Sequence, residues 1–176
     1  MANRVGLYVN PTKINTDTLP SQLTTWFKQQ GWETVFDWQH NKRVIEDLDF
    51  ILSLGGDGTV LQAAREAASF GVPVLGVNFG RLGFLCEVER DDIYSALKRV
   101  MSKEYSIEER MMMAASLTRS GKKMQYTVLN DVVFIREYPE HMITLEVKLS
   151  GQALASPPAD GLIIATPTGS TAYSLS

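Results

Sequence analysis

Residues 1–102 predict a three-layer α/β domain on a parallel sheet, and residues 103–176 predict the start of a mostly-β, sandwich-like domain. Three observations carry this. Short apolar runs alternate with amphipathic helical patterns up to about residue 100, the rhythm of strand–helix–strand units. The most apolar run, Asp49-Phe50-Ile51-Leu52-Ser53-Leu54, has no in–out alternation, as expected of a strand covered on both faces. After residue 103 the helical spacing stops, and strand-like runs follow one another across hairpin turns.

The elements follow in order. Val5 to Val9 is a buried strand ending at the turn signal Asn10-Pro11. Leu19, Leu23, Trp26, Phe27 and Gln30 keep helical spacing, and Gly31 stands where a C-terminal cap belongs. Glu33 to Phe36 is a short strand and Asp49 to Leu54 a central one. Val60, Leu61, Ala64, Ala67 and Ala68 mark one helix face, closed by Gly71. Pro73 to Val77 is the next strand, and Asp91 to Met101 is a helix with Ile93, Leu97 and Val100 on one side. In the second part Ile107 to Leu117, Met124 to Arg136, His141 to Leu149 and Leu162 to Ala165 read as strands. Arg119-Ser120-Gly121-Lys122 and Ser150-Gly151 supply turns, and Met111-Met112-Met113 reads as one strand packing both faces. The last residues read as a loop entering a helix, and a two-sheet β domain of about 100 residues is expected to continue past them.

Composition excludes several classes. With 44% hydrophobic and 21% charged residues the chain is globular, not disordered. A net charge of −3 lacks the basic footprint of a nucleic-acid binder, so an anionic ligand must be met locally by backbone N–H groups, a metal or a few side chains. Cys86 is the single cysteine, which excludes an intrachain disulfide and a Cys-based zinc site and suits a cytoplasmic setting. His40 and His141 lack metal-like spacing, and no metal-ligand set is read from the sequence. The run Val5 to Val9 is too short for a signal core, and no stretch reaches membrane-spanning length.

The segment that carries chemistry is Gly55-Gly56-Asp57-Gly58-Thr59, between a buried strand and a helix. There the first helical N–H groups lack internal partners and the helix dipole favours an anion. Glycines let the backbone approach phosphate oxygens. An aspartate would repel phosphate unless it sits beside a metal or takes a proton from an attacking hydroxyl. The alternative is an Asp-Gly turn with a helix cap at Asp57 or Thr59. The segment is neither a Walker loop nor a Gly-x-Gly-x-x-Gly fingerprint, since Leu61 stands where the third glycine would be.

This turn resembles that of a kinase superfamily comprising NAD kinases, diacylglycerol- and sphingosine-type lipid kinases and 6-phosphofructokinases. Three further segments single out the NAD kinases. Gly76-Val77-Asn78-Phe79-Gly80-Arg81-Leu82-Gly83-Phe84-Leu85 looks like the family's loop after the fourth strand. Asn130-Asp131 is similar to its nucleoside-binding Asn-Glu/Asp pair. Asp160 to Ser176, with Thr166-Pro167-Thr168-Gly169-Ser170-Thr171-Ala172-Tyr173, resembles its signature almost residue for residue. Pro158 departs from the pattern, standing where many members carry a basic residue.

The resemblance implies transfer of the γ-phosphoryl of ATP, or of polyphosphate in some members, to the 2′-hydroxyl of the adenosine ribose of NAD. It implies Asp57 as proton acceptor, Gly55, Gly56, Gly58 and Thr59 at the donor phosphates, and Mg²⁺ or another divalent cation on the transferring group. NAD would meet Asp57, Gly58, Asn130, Asp131, Asp160, Thr171, Ala172, Tyr173, Ser174, Leu175 and Ser176, in a cleft between the two domains. It also implies a homo-oligomer acting on NAD and ATP; charge and hydropathy point to no nucleic-acid or membrane partner. A diacylglycerol-type lipid kinase and a non-catalytic dinucleotide-binding module are the alternatives. The lipid reading predicts an exposed amphipathic docking element, which the sequence lacks.

Overall fold

The computed structural model describes residues 3–10, 18–80, 83–138, 140–154 and 156–175. Pro11, Arg81, Leu82 and Ser176, named above, lie outside the described residues. Contacts divide the chain into two units, Met1–Glu108 and Glu109–Ser176.

The first unit runs β1 (Asn3–Val9), α1 (Leu19–Gln29), β2 (Trp32–Val35), α2 (Lys42–Glu46), β3 (Phe50–Gly55), α3 (Asp57–Ala67), β4 (Val74–Asn78), β5 (Val88–Glu89) and α4 (Ile93–Met101). Its strands form one parallel sheet in the order β2-β1-β3-β4-β5. Every residue of β3 is buried, because the pleat sends alternate side chains to opposite covered faces. Leu52 and Leu54 join Leu23 and Phe27 of α1 and Ile93 and Leu97 of α4. Ile51 joins Ile45 of α2 and Ala63 and Ala67 of α3, with Trp38 and Leu48. Helices therefore cover both faces, which makes the three layers the sequence predicts.

Local chemistry sets the ends of these elements. Pro20 sits in the first turn of α1, where its missing N–H costs nothing, and Gly31 ends that helix at φ 77°. Gly71, at φ 67°, closes the 3₁₀ turn Ala68–Phe70 after α3. The buried face of α3 is Thr59, Val60, Ala63 and Ala67, offset from the predicted stripe. An alanine-rich helix has little preference of its own, so the strand beneath it chooses the face. Two pieces escape the periodicity altogether, α2 and the preceding 3₁₀ turn Trp38–His40. They cover the sheet nonetheless: Trp38 is fully buried, and its indole N–H donates to the Leu7 carbonyl at 3.2 Å.

Among the described residues the second unit holds only antiparallel pairs. The hairpin β6 (Met113–Arg119) and β7 (Lys122–Val128) turns at Ser120 and Gly121, with φ of 50° and 77°. Strand β8 (Asp131–Ile135) pairs with β13 (Gly161–Ala165) from Asp131↔Ala165 to Gly161↔Ile135. Two-residue pieces complete it: β9 (Ile143–Thr144) with β12 (Pro158–Ala159), and β10 (Lys148–Leu149) with β11 (Gln152–Ala153). Five expectations change here. The strand expected from Ile107 begins only at Met113. Met124 to Arg136 is two strands, broken at Leu129-Asn130, not one. His141 to Leu149 holds two short strands. Only Met113 of the methionine triplet lies in a strand, and Met111 is exposed. The end of the chain forms 3₁₀ turns, Gly169–Thr171 and Tyr173–Leu175, where a helix was expected. No helix among the described residues is long and apolar enough to cross a membrane.

Candidate functional site

The glycine turn sits where the sheet reverses its winding. From β1 the chain moves outward to β2, and from β3 it moves the other way to β4 and β5. The carboxyl ends of β1 and β3 thus flank the switch point, the usual place for a ligand in such sheets. Asn10 follows β1 there, its N–H donating to the Leu54 carbonyl at 3.2 Å.

Gly55 ends β3, and its carbonyl accepts the Phe79 N–H at 2.7 Å. A Cβ at Gly55 would collide with the Thr59 hydroxyl, so the glycine is what lets Thr59 fold back over the turn. Gly56 is the N-cap of α3, in extended backbone. It has no side chain to cap with, and the contact runs the other way: the buried Thr59 hydroxyl at N3 reaches back and accepts the Gly56 N–H at 3.3 Å. Asn10 Nδ2 lies 3.5 Å from the same hydroxyl. Gly58 differs from these, being exposed on the first helical turn, where a Cβ would meet nothing within 4 Å.

Asp57 opens α3, and its carboxylate faces the loop after β4. Oδ2 accepts the Phe84 N–H at 2.8 Å, and Oδ1 accepts those of Leu85 at 3.1 Å and Cys86 at 3.2 Å. Ahead of that loop, Asn78 braces the turn by exchanging two hydrogen bonds with the backbone of Gly80, each 3.1 Å. The guanidinium of Arg90 lies 5.1 Å from the Phe79 ring centre.

In the second unit Thr166 gathers the predicted nucleoside segments. Its N–H donates to the Asn130 carbonyl at 2.8 Å, its hydroxyl donates to the Leu129 carbonyl, and the same hydroxyl oxygen accepts the Gly169 N–H at 3.1 Å. A Cβ at Gly169 would collide with the Asn130 main chain. Asn130, Asp131 and the 169–175 turns are therefore one assembly. The Asn130 side-chain oxygen is buried without a protein partner. Within the turns, the Thr171 hydroxyl donates to Thr168, and Ser174 Oγ lies 3.1 Å from the carbonyls of both Gly169 and Ser170. The Ala172 N–H donates to the Gly169 carbonyl and that of Leu175 to Ala172, while the Tyr173 ring and Leu175 are exposed.

Asp160 stands apart from this assembly. It faces Arg136, one step beyond the Gly161↔Ile135 pair, while Asp131 opens the ladder at its other end. At about 3.4 Å per residue the two lie about 17 Å apart along the strand. The Asp160 carboxylate pairs with Arg136 at 3.2 Å. Among the described residues no group of three or more His, Cys, Asp or Glu could hold a metal ion.

Sequence reasoning did not single out Asn10, Thr166 or the amides of 84–86. Asn10 and Thr166 are polar residues at strand ends, a faint signal. The amides belong to the backbone, which no residue type announces.

Comparison with known proteins supplies the lineage. Residues 7–105 match the family model of the ATP-NAD kinase N-terminal domain, and residues 129–176 match that of the C-terminal domain. The chain belongs to the ATP-NAD kinase family. The NAD kinase of Magnetococcus marinus is 40% identical over 99% of this chain and 63% of its own length. That of Heliobacterium modesticaldum is 51% identical over 75% of this chain and 47% of its own length. The chain thus spans less than two thirds of either kinase. Among solved structures, an Archaeoglobus fulgidus NAD kinase in complex with ATP superposes with TM-score 0.74 at 25% identity, covering 98% of this chain and 64% of that one. A yeast NADH kinase complexed with NADH shares the fold at TM-score 0.78 and 23% identity, covering 99% of this chain and 60% of that one.

Proposed function

We propose that the protein to which this chain belongs is an NAD kinase, phosphorylating the 2′-hydroxyl of the adenosine ribose of NAD with ATP. The observation that carries the reading is the Gly55–Thr59 turn at the sheet's switch point with a carboxylate, Asp57, at its centre. Relatives named NAD kinase and a neighbour holding ATP support it.

In this reading Asp57 accepts the proton of the 2′-hydroxyl as that oxygen bonds to the γ-phosphorus. The bond from the γ-phosphorus to the β,γ-bridging oxygen breaks, ADP leaves, and NADP and a proton are the further products. Gly58 has no packing reason to be glycine, and a phosphate oxygen approaching the first turn of α3 provides one. Gly55 and Gly56, expected at the same phosphates, are buried, and the Gly56 N–H is held by Thr59, so they would shape the turn from behind and not touch the phosphates. Thr59 would serve them indirectly, since its hydroxyl is turned inward to Gly56. Asn130, Asp131 and the 171–176 segment would receive the dinucleotide: Asn130 with its unpartnered oxygen, Asp131 as acceptor for hydroxyls, Tyr173 with an exposed ring. Asp160 would serve as an acceptor at a separate point, where Arg136 now holds it.

Mg²⁺ accompanies ATP in phosphoryl transfer and neutralises charge on the transferring group. Among the described residues no group of carboxylates could hold the ion. Family membership supports a homo-oligomer, which light scattering of the full chain would test, and a cytoplasmic location, which cell fractionation would test.

The deciding experiment supplies NAD with ATP and Mg²⁺ and follows NADP by a coupled dehydrogenase, with diacylglycerol as a parallel acceptor. NADP formation is expected. Phosphate transfer to the lipid alone, or NAD binding without any transfer, would overturn the reading.

A further inference from the structure

We infer that the Gly83–Cys86 backbone is a positioning device for the Asp57 carboxylate, an inference about catalysis that rests on the kinase reading above. An ionised carboxylate offers about four lone-pair positions. The amides of Phe84, Leu85 and Cys86 occupy three of them, two on Oδ1 and one on Oδ2. About one position is left, and it lies on Oδ2. The amides thus decide both which oxygen receives the proton and the direction it faces.

Two glycines make the arrangement possible. A Cβ at Gly83 would collide with Cγ and both oxygens of Asp57, so the loop can lie on the carboxylate only because residue 83 has no side chain. Gly83 does not adopt the left-handed φ that would give glycine another reason to be there. On β4, a Cβ at Gly76 would come within 2.6 Å of Val60 Cγ2 and 3.2 Å of the Cys86 Cα and Leu85 carbonyl. Its absence lets α3 and the loop close over the same strand. Gly83 is therefore a positioning residue for Asp57, acting without touching the reacting atoms.

One consequence concerns the usual way of testing a base. Asp57→Asn removes the proton acceptor, but it also turns an NH₂ group toward amides that need an oxygen. Lost turnover in that variant does not separate base chemistry from a loosened loop. Gly83→Ala does, because it keeps the carboxylate as a chemical group and only displaces it from its seat.

The test compares the unsubstituted full chain, Gly83→Ala and Asp57→Asn by steady-state kinetics for NAD and ATP, thermal melting, and amide hydrogen exchange at Phe84, Leu85 and Cys86. A displacement near 1 Å is worth about 100-fold in rate. Gly83→Ala is expected to lower kcat about that much with both KM values within about threefold, and to speed exchange at the three amides. Faster exchange with kcat within about twofold of the parent overturns the positioning role. If Gly83→Ala does not fold, Asp57→Asn decides: exchange at 84–86 as slow as in the parent overturns the clamp. Failure of the parent to make NADP overturns the kinase reading and with it the catalytic role, while the exchange data still report whether Asp57 holds the loop.

Discussion

Thr59→Val isolates what holds the glycine turn together. Valine keeps the shape of threonine and removes the one oxygen that accepts the Gly56 N–H, at 3.3 Å. Gly56 and Thr59 are both buried, so water does not replace that acceptor. An unsatisfied buried donor costs about 1–3 kcal/mol. Asn10 Nδ2 is 3.5 Å away, too far to add much. The expected loss is therefore about 1–3 kcal/mol, with a melting shift of about 4–8 °C for each kcal/mol in a domain of this size. Urea unfolding followed by tryptophan fluorescence measures it cleanly, because Trp26, Trp32 and Trp38 all lie in the first unit. A variant within about 0.3 kcal/mol of the parent would refute the reasoning. If ATP affinity then fell without loss of stability, the hydroxyl would belong to the nucleotide and not to the cap.

Two further outcomes follow from the same geometry. Gly169→Ala should push the 169–175 turns off the Asn130 main chain and raise the KM for NAD at least about tenfold, leaving the tryptophan-detected unfolding unchanged; an unaltered KM would detach this assembly from the acceptor. Burial, then the nearby Glu66 carboxylate, raises the pKa of Tyr8. The folded state thus favours the neutral phenol, and this contribution to stability is fully present below about pH 10 and lost as pH rises through the folded value. Tyr8→Phe should lessen the alkaline decline of stability in pH-dependent urea titrations, and an identical decline in both proteins would contradict the assigned cause.

The legibility of the chain followed burial. Strand β3 was readable because both its faces are covered, which leaves a continuous apolar run. The stripe Leu19, Leu23, Phe27 of α1 was readable because one face alone is buried. The second unit was read less well, since little of it is buried: among its described residues only Leu129, Thr166 and Gly169 are. Without an inner face to enforce alternation, strand limits there are set by pairing and turns, and only Ser120-Gly121 and Ser150-Gly151 announced themselves. At the site, the glycines and Asp57 were visible as residue types. The partners of Asp57 were not, because amides 27 to 29 residues away are brought to it by β3–β4 pairing and not by any local pattern.

That separation has a consequence for how the protein is made. When α3 first emerges during synthesis, Asp57 opens a helix with no amides to answer its charge. It gains them only after Cys86 has been added and β4 has docked on β3, a closure of 27 to 29 residues that pays its loop entropy late. A nascent chain can thus hold the turn's secondary structure before the Asp57 carboxylate is clamped. Substitutions that slow the docking of β4 would delay protection of the 84–86 amides during refolding more than they delay the recovery of helix.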